Sequence, residues 1–219
     1  MIAQKEPKER ILEAAAALFA QRGFSGVGVR EIATAADVNI SMISYYFNGK
    51  NGILKEIIKT YFEEVDAIFR GIIEEHLDPV SSTKKIFREH VNLIRSKPDL
   101  CKVAIVEMPF DLPEIAEYKN EFFLSNHRVI EETFHRNKPI AEDPFYKCVI
   151  GPAMISLVFS HFLVGHIVKT TCETEFDENF YERYSETIST LFLRGVMGIA
   201  EEERKKHTQN MNGGFHHGK

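Results

Sequence analysis

The stretch "VNISMISYYFNGK", Val38–Lys50, decides how this chain is read. It holds two tyrosines, two serines and two asparagines around Ile43 and Phe47, and no acidic residue, in a chain of net charge -5. Core helices are more apolar than this and solvated helices more charged. With Asn39 as N-cap, a short helix puts Val38, Ile43 and Phe47 on one side. Asn39, Ser41, Met42, Tyr45 and Tyr46 crowd the other. Hydroxyls and amides bond phosphates and base edges alike, so that outer face suits nucleic acid. Lys50 and Gly49 then open the next helix, where free N–H groups, a positive dipole end and a lysine suit a phosphate.

The segments on either side complete the motif. Upstream, "SGVGVREIATAADV" reads as a short helix with Gly28 as its N-cap, ending near Asp37, a residue that tolerates the left-handed backbone of a tight turn. Two short helices around such a turn give the helix-turn-helix outline. Before them, Ile11, Leu12, Ala15, Leu18 and Phe19 mark one face of a helix, with Pro7 in its first turn and Gly23 as its stop. Downstream, an amphipathic helix is expected over about 50–76 and another to about Arg95, capped by Ser81 or Ser82. Further helices are expected over 98–108, over 111–137 with Asp111 as cap, over 144–172 with a kink or true start at Gly151-Pro152, and over 177–206. The fold class is therefore all-α, with a three-helix head over 1–54, a larger helical domain over 55–206 and a disordered tail over 207–219.

Composition narrows the class of function. A chain of 219 residues that is 44% hydrophobic buries a core. No window reaches the roughly 20 apolar residues of a membrane span, and the start lacks the apolar run of a signal peptide, so a cytoplasmic protein is expected. Cys101, Cys148 and Cys172 read as free thiols. Residues 1–54 carry six Lys and Arg against five Asp and Glu, and the remainder 21 against 27, a near-neutral head on an acidic body. There is no glycine-rich phosphate loop, no nucleophile elbow and no His-Glu-x-x-His, so no enzyme is expected. His161 and His166 are five apart, on different faces of a helix, and neither a metal site nor a cofactor is expected.

"EIATAADVNISMISYYFNGKNGIL", with "ILEAAAALFAQRGF" before it, resembles the DNA-binding signature of the tetracycline-repressor (TetR) family of bacterial transcription regulators. The resemblance covers about residues 8–56. It implies a recognition helix in the major groove, with Arg30, Asn39, Ser41, Met42 and Ser44 reading bases. Met42 would meet a thymine methyl, Tyr45 and Tyr46 the backbone or bases, and Lys50 a phosphate. The family's glycine, capping serine or threonine, and tyrosine are replaced here by Asp37, Gly28 and Ser44.

A head with few base contacts needs a two-fold partner and a pseudo-palindromic site in double-stranded DNA. "MISLVFSHFLVGHIV" is apolar on nearly every face, which suits either a core or an interface. In the resembled family the last two helices form the dimer, which implies an interface through Ser156, Ser160, His161, Val164, Gly165, Ile188, Leu191 and Phe192 of a homodimer. Aromatic side chains interleaved with histidines along the middle helices read either as ordinary core or as the wall of a cavity. The resemblance favours a pocket for a small apolar or aromatic effector, lined by Phe87, His90, Phe110, Phe122, Phe123, His127, Phe159 and Phe162, which releases a repressor from its operator. A helical interaction protein with a vestigial head is the alternative, and no membrane partner is expected.

Overall fold

The structure, a computed structural model, describes residues 5–106 and 144–213, and every element in them is a helix. In chain order these are α1 (Pro7–Arg22), α2 (Val29–Ala35), α3 (Ile40–Phe47), α4 (Lys50–Glu74), α5 (Pro79–Ser96), α6 (Pro98–Val106), α7 (Pro144–Cys172) and α8 (Glu178–Gly213). The expected helix over 111–137, with its Asp111 cap, lies outside the described residues, as do Phe110, Phe122, Phe123 and His127.

Two compact units are present. One draws on Met1–Ala67 and Asn92–Phe123, the other on Ile68–Val91 and Leu124–Lys219. The first is built around α1, which packs on α2, α3 and α6. Ile11, Ala15 and Phe19 are buried on α1, at the helical spacing that predicts them, together with Ile32, Ile43, Phe47, Ile53, Leu54, Ile57 and Val103. Lys102 on α6 donates from Nζ to the Ala20 carbonyl at 2.6 Å, covering one of the carbonyls the end of α1 leaves open.

In the second unit α7 packs against α8. Ile150, Met154, Val158 and His161 form the buried face of α7, and Ser185, Ile188, Ser189, Phe192 and Val196 that of α8. The Tyr184 hydroxyl donates to the Leu157 carbonyl at 2.7 Å and joins the two.

Several boundaries differ from the sequence reading for local reasons. Asp78 caps α5 rather than a serine: its Oδ1 accepts from the backbone N–H of Val80 at 2.9 Å and of Ser81 at 3.2 Å, and its Oδ2 from the Ser81 hydroxyl at 2.5 Å. Pro152 neither starts nor ends a helix; α7 runs through it. The last helix continues past Lys206 to Gly213, the first of a Gly-Gly pair in the sequence, aided by the Lys205–Glu201 pair one turn apart at 2.8 Å. The rest of the expected tail, 214–219, lies outside the described residues. Finally, Cys148–Cys172 is long and apolar enough, by length and composition alone, to cross a membrane, although only 33% of its most apolar window is buried. This corrects the expectation that no window of the chain reaches the length and apolarity of a span.

Candidate nucleic-acid interface

The α2–α3 pair is held by its own caps. Gly28 precedes α2 without a side chain to offer, and Glu31 supplies the missing bond in reverse: its Oε2 accepts the Gly28 N–H at 2.8 Å. Glu31 Oε1 takes Arg22 at 2.6 Å, while the other arm of Arg22 donates to the Gly26 carbonyl at 2.6 Å. The Arg22 guanidinium and then the Gly28 N–H hold the Glu31 carboxyl below its ordinary value. At the turn between the helices Asp37 has φ 52°, the left-handed conformation that glycine adopts more cheaply. Arg10 on α1 donates to the Asp37 carbonyl at 3.1 Å and stands 3.7 Å from its carboxylate.

Asn39 caps α3, accepting on Oδ1 from the Ser41 N–H at 2.9 Å and from the Ser41 hydroxyl at 2.8 Å. Ile43 and Phe47 anchor the helix to the core. Asn48, at φ 56°, and Gly49, at φ 101°, then reverse the chain into α4. The reversal is tight. A Cβ on Gly52 would lie 1.6 Å from the Phe47 carbonyl oxygen, which no other residue tolerates without backbone movement.

Of the residues expected to meet DNA, Arg30, Asn39, Ser41, Ser44 and Tyr45 are exposed, and Met42, Tyr46 and Lys50 are half-buried. Tyr45 is 83% exposed, edge-on to the Tyr46 ring at 4.9 Å between centroids. The outward strip of α3 is Ile40, Ser41, Ser44 and Tyr45, at the i, i+1, i+4, i+5 spacing of one helical face. Ile40 was not among the expected contacts; it lies at i, i+3, i+7 with the buried Ile43 and Phe47, and it is exposed at the first position of the helix. The Lys50 ammonium is engaged within the head. It donates to the carbonyls of Phe24 and Val27 at 3.0 Å each and lies 4.3 Å from the centroid of the Phe24 ring.

The residues expected in the second unit divide as well. Phe87, His90 and Phe159 are buried and Phe162 is half-buried. His90 bonds the Ile86 carbonyl through Nδ1 at 2.9 Å and meets Phe69 edge-on at 5.6 Å; burial pushes its pKa down. Phe87, expected in a pocket, packs at 5.3 Å on Phe192, expected in an interface. Ile188, Phe192 and His161 are buried inside the protomer, and His161 is ringed by Phe176, Phe180 and Tyr184 at 4.5, 5.0 and 4.8 Å. Gly165 is half-buried, while Ser156, Ser160, Val164 and Leu191 are exposed, as are Leu163 and Ile167. A cleft of about 630 Å³ lies in the first unit among Leu12, Ala16, Ser96, Pro98 and Leu100, and of the described pocket candidates Phe87, His90, Phe159 and Phe162 none borders it.

Residues 11–57, which span this whole arrangement, match the family described as "Bacterial regulatory proteins, tetR family". Over these residues the chain is similar to the TetR family. Over 56 residues it is 52% identical to the probable HTH-type transcriptional regulator YttP of Bacillus subtilis, a match that spans 26% of this chain and only 27% of that protein. The TetR-family regulator PfmR of Thermus thermophilus shares the fold over 87% of this chain and 97% of its own, with a TM-score of 0.68 and 19% identity. FadR of Bacillus subtilis, solved in complex with stearoyl-CoA, does so over 84% of this chain and 96% of its own, with a TM-score of 0.65 and 17% identity. The sequence likeness is strongest where the head lies, and the likeness of the remaining helices is one of fold.

Proposed function

We propose that this protein is a DNA-binding transcriptional regulator, a homodimeric repressor that leaves a pseudo-palindromic operator when a small apolar effector occupies its C-terminal helices. The observation that carries the reading is the outer face of α3. A helix pinned by Ile43 and Phe47 displays hydroxyls, an 83% exposed tyrosine and no carboxylate. A solvated helix of an acidic protein gains nothing from that composition, whereas a helix lying against phosphates and base edges does.

The dimer rests on α7 and α8. Ser156, Ser160, Leu163, Val164 and Ile167 share the face of α7 opposite its buried residues, and Leu191 is 59% exposed on α8. Small residues next to exposed branched ones suit a close helix–helix interface. The effector reading rests on the buried group of Phe69, Phe87 and His90, a mostly apolar setting with one polar side chain. An acyl-coenzyme A is the first candidate, because FadR, which shares the fold, is complexed with stearoyl-CoA. Effector and operator would then compete through two states of the dimer.

The test is selection of bound sequences from random double-stranded DNA by the full chain, followed by titration of the selected duplex with salt and with stearoyl-CoA. The expected result is a two-fold related sequence bound with a steep loss of affinity as salt rises, and at least a tenfold loss on adding the acyl-CoA. If no sequence is enriched, the regulator reading fails and an interaction protein with a vestigial head takes its place. If a sequence is enriched but no acyl-CoA displaces it, the effector assignment alone fails.

A further inference from the structure

The first turn of α3 carries an apolar side chain where a reading surface is proposed. Ile40, its first residue, is 43% exposed, while Ile43 and Phe47 on the same helix are buried at 1% and 6%. A single exposed isoleucine is ordinary on a protein surface. What singles this one out is the state of its neighbours. Asn39 Oδ1 already accepts two hydrogen bonds, from the N–H and the hydroxyl of Ser41. The acceptor capacity of Asn39 and the donor proton of Ser41 are therefore both consumed in the cap. The Asn39 amide nitrogen keeps its hydrogens, and the orientation of the amide follows from the cap, since only an oxygen accepts the Ser41 N–H.

This alters what the turn is able to recognise. An asparagine reads adenine by donating to N7 and accepting from the N6 amino group, and the second half of that pairing needs the oxygen. With the oxygen spent, Asn39 is a donor only. Thymine presents in the major groove an O4 acceptor beside a C5 methyl group, the only base edge that pairs an acceptor with an alkyl group. A donor-only amide next to an exposed isoleucine is its complement. The N-terminal residues of a recognition helix are the ones that reach base edges, which is where both side chains sit.

We infer that Asn39 and Ile40 together read a thymine, Ile40 packing on its methyl group and Asn39 donating to its O4. The inference rests on the proposed DNA-binding function and deepens it. It also moves the methyl contact from Met42, which is half-buried, to Ile40.

The experiment is a methyl-deletion scan. In the duplex selected by the full chain, each thymine in turn is replaced by deoxyuridine, which keeps O4 and removes only the methyl group. Binding is then measured for the wild type, Ile40→Ser and Met42→Ala. One thymine per half-site is expected to lose about three- to tenfold in affinity for the wild type on replacement, as burial of a methyl group against an alkyl side chain implies. The loss should vanish in Ile40→Ser and persist in Met42→Ala. Because the scan on the wild type needs no variant, misfolding of a variant does not obscure it. An enriched sequence with no methyl-sensitive thymine, or with sensitivity that Met42→Ala removes, overturns the assignment of Ile40 and leaves the regulator reading standing. Failure to enrich any sequence overturns both.

Discussion

The ammonium of Lys50 donates to the carbonyl of Phe24 at 3.0 Å and stands 4.3 Å from the centroid of the same residue's ring. With the second bond, to Val27, this lysine at the start of α4 closes the loop that carries α2. A phosphate contact and a loop tie are therefore asked of one side chain. With two of three N–H donors committed, Lys50→Ala should weaken the head even without DNA. Charge-assisted bonds to carbonyls are worth about 1.5–3 kcal/mol each at most, and these are part-exposed, so a loss of about 1–2 kcal/mol is expected. Urea unfolding of the free protein measures it. An unchanged midpoint would mean that Lys50 serves only the phosphate, and in that case the salt slope of operator binding should fall by about one.

Gly52 is the second position fixed by close approach. A Cβ there would sit 1.6 Å from the Phe47 carbonyl oxygen, a backbone atom that has no rotamer in which to retreat. In an ordinary helix interior Gly→Ala stabilises by up to about 1 kcal/mol. Here Gly52→Ala should destabilise by on the order of 3 kcal/mol, the range of overpacking, because α3 and α4 must part to admit the methyl group. Thermal unfolding of the variant decides the sign.

Asp37 offers the opposite substitution. Its φ of 52° strains a residue with a Cβ, and glycine relieves that strain. The bond from Arg10 goes to the Asp37 backbone carbonyl, which glycine retains. Only the ion pair is lost, and its carboxylate is fully exposed at 3.7 Å, where such pairs contribute little. Asp37→Gly should therefore stabilise the head by about 0.5–1 kcal/mol. A lower melting temperature would mean that the exposed carboxylate matters more than its geometry implies.

How far the sequence disclosed this architecture depended on the range of the interactions involved. The head was legible because its signals are local: the Asn39 cap, the Gly23 stop and the spacing of Ile11, Ala15 and Phe19 all act within a few residues. Ile40 was not singled out, because its spacing places it with Ile43 and Phe47 and only the packing of the helix start leaves it exposed. The loop tie made by Lys50 spans 26 residues in sequence and leaves no periodic trace. In the second unit, α7 is apolar on both faces, so periodicity alone did not separate buried Met154, Val158 and His161 from exposed Ser160, Leu163 and Ile167. Phe192, on α8, was placed at the interface by the resemblance alone, and within the protomer it packs on Phe87.

Two buried groups in different units respond to solution chemistry in separable ways. Cys101 is fully buried on α6, and burial pushes its thiol up to about 12, so alkylation at pH 8 should spare it until the chain unfolds. His90 is buried with its pKa pushed down from 6.5, chiefly by desolvation. Its Nδ1 bonds the Ile86 carbonyl, so the neutral ring already carries the proton that bond uses. Between its folded value and 6.5 the unfolded chain binds more protons at this site than the folded one. The contribution is therefore fully present above 6.5 and is lost as pH falls below it. Asp78 and Glu31, whose pKa values are also lowered, withdraw their contributions only below about 3.8 and 4.5, in more acid solution. Melting temperatures from pH 8 to 5 should fall below pH 6.5 in the wild type and less in His90→Gln, whose amide is uncharged throughout; burial also pushes His161 down, and it supplies the part of the slope that remains. Equal slopes for the two proteins would show that His90 does not set the acid limb.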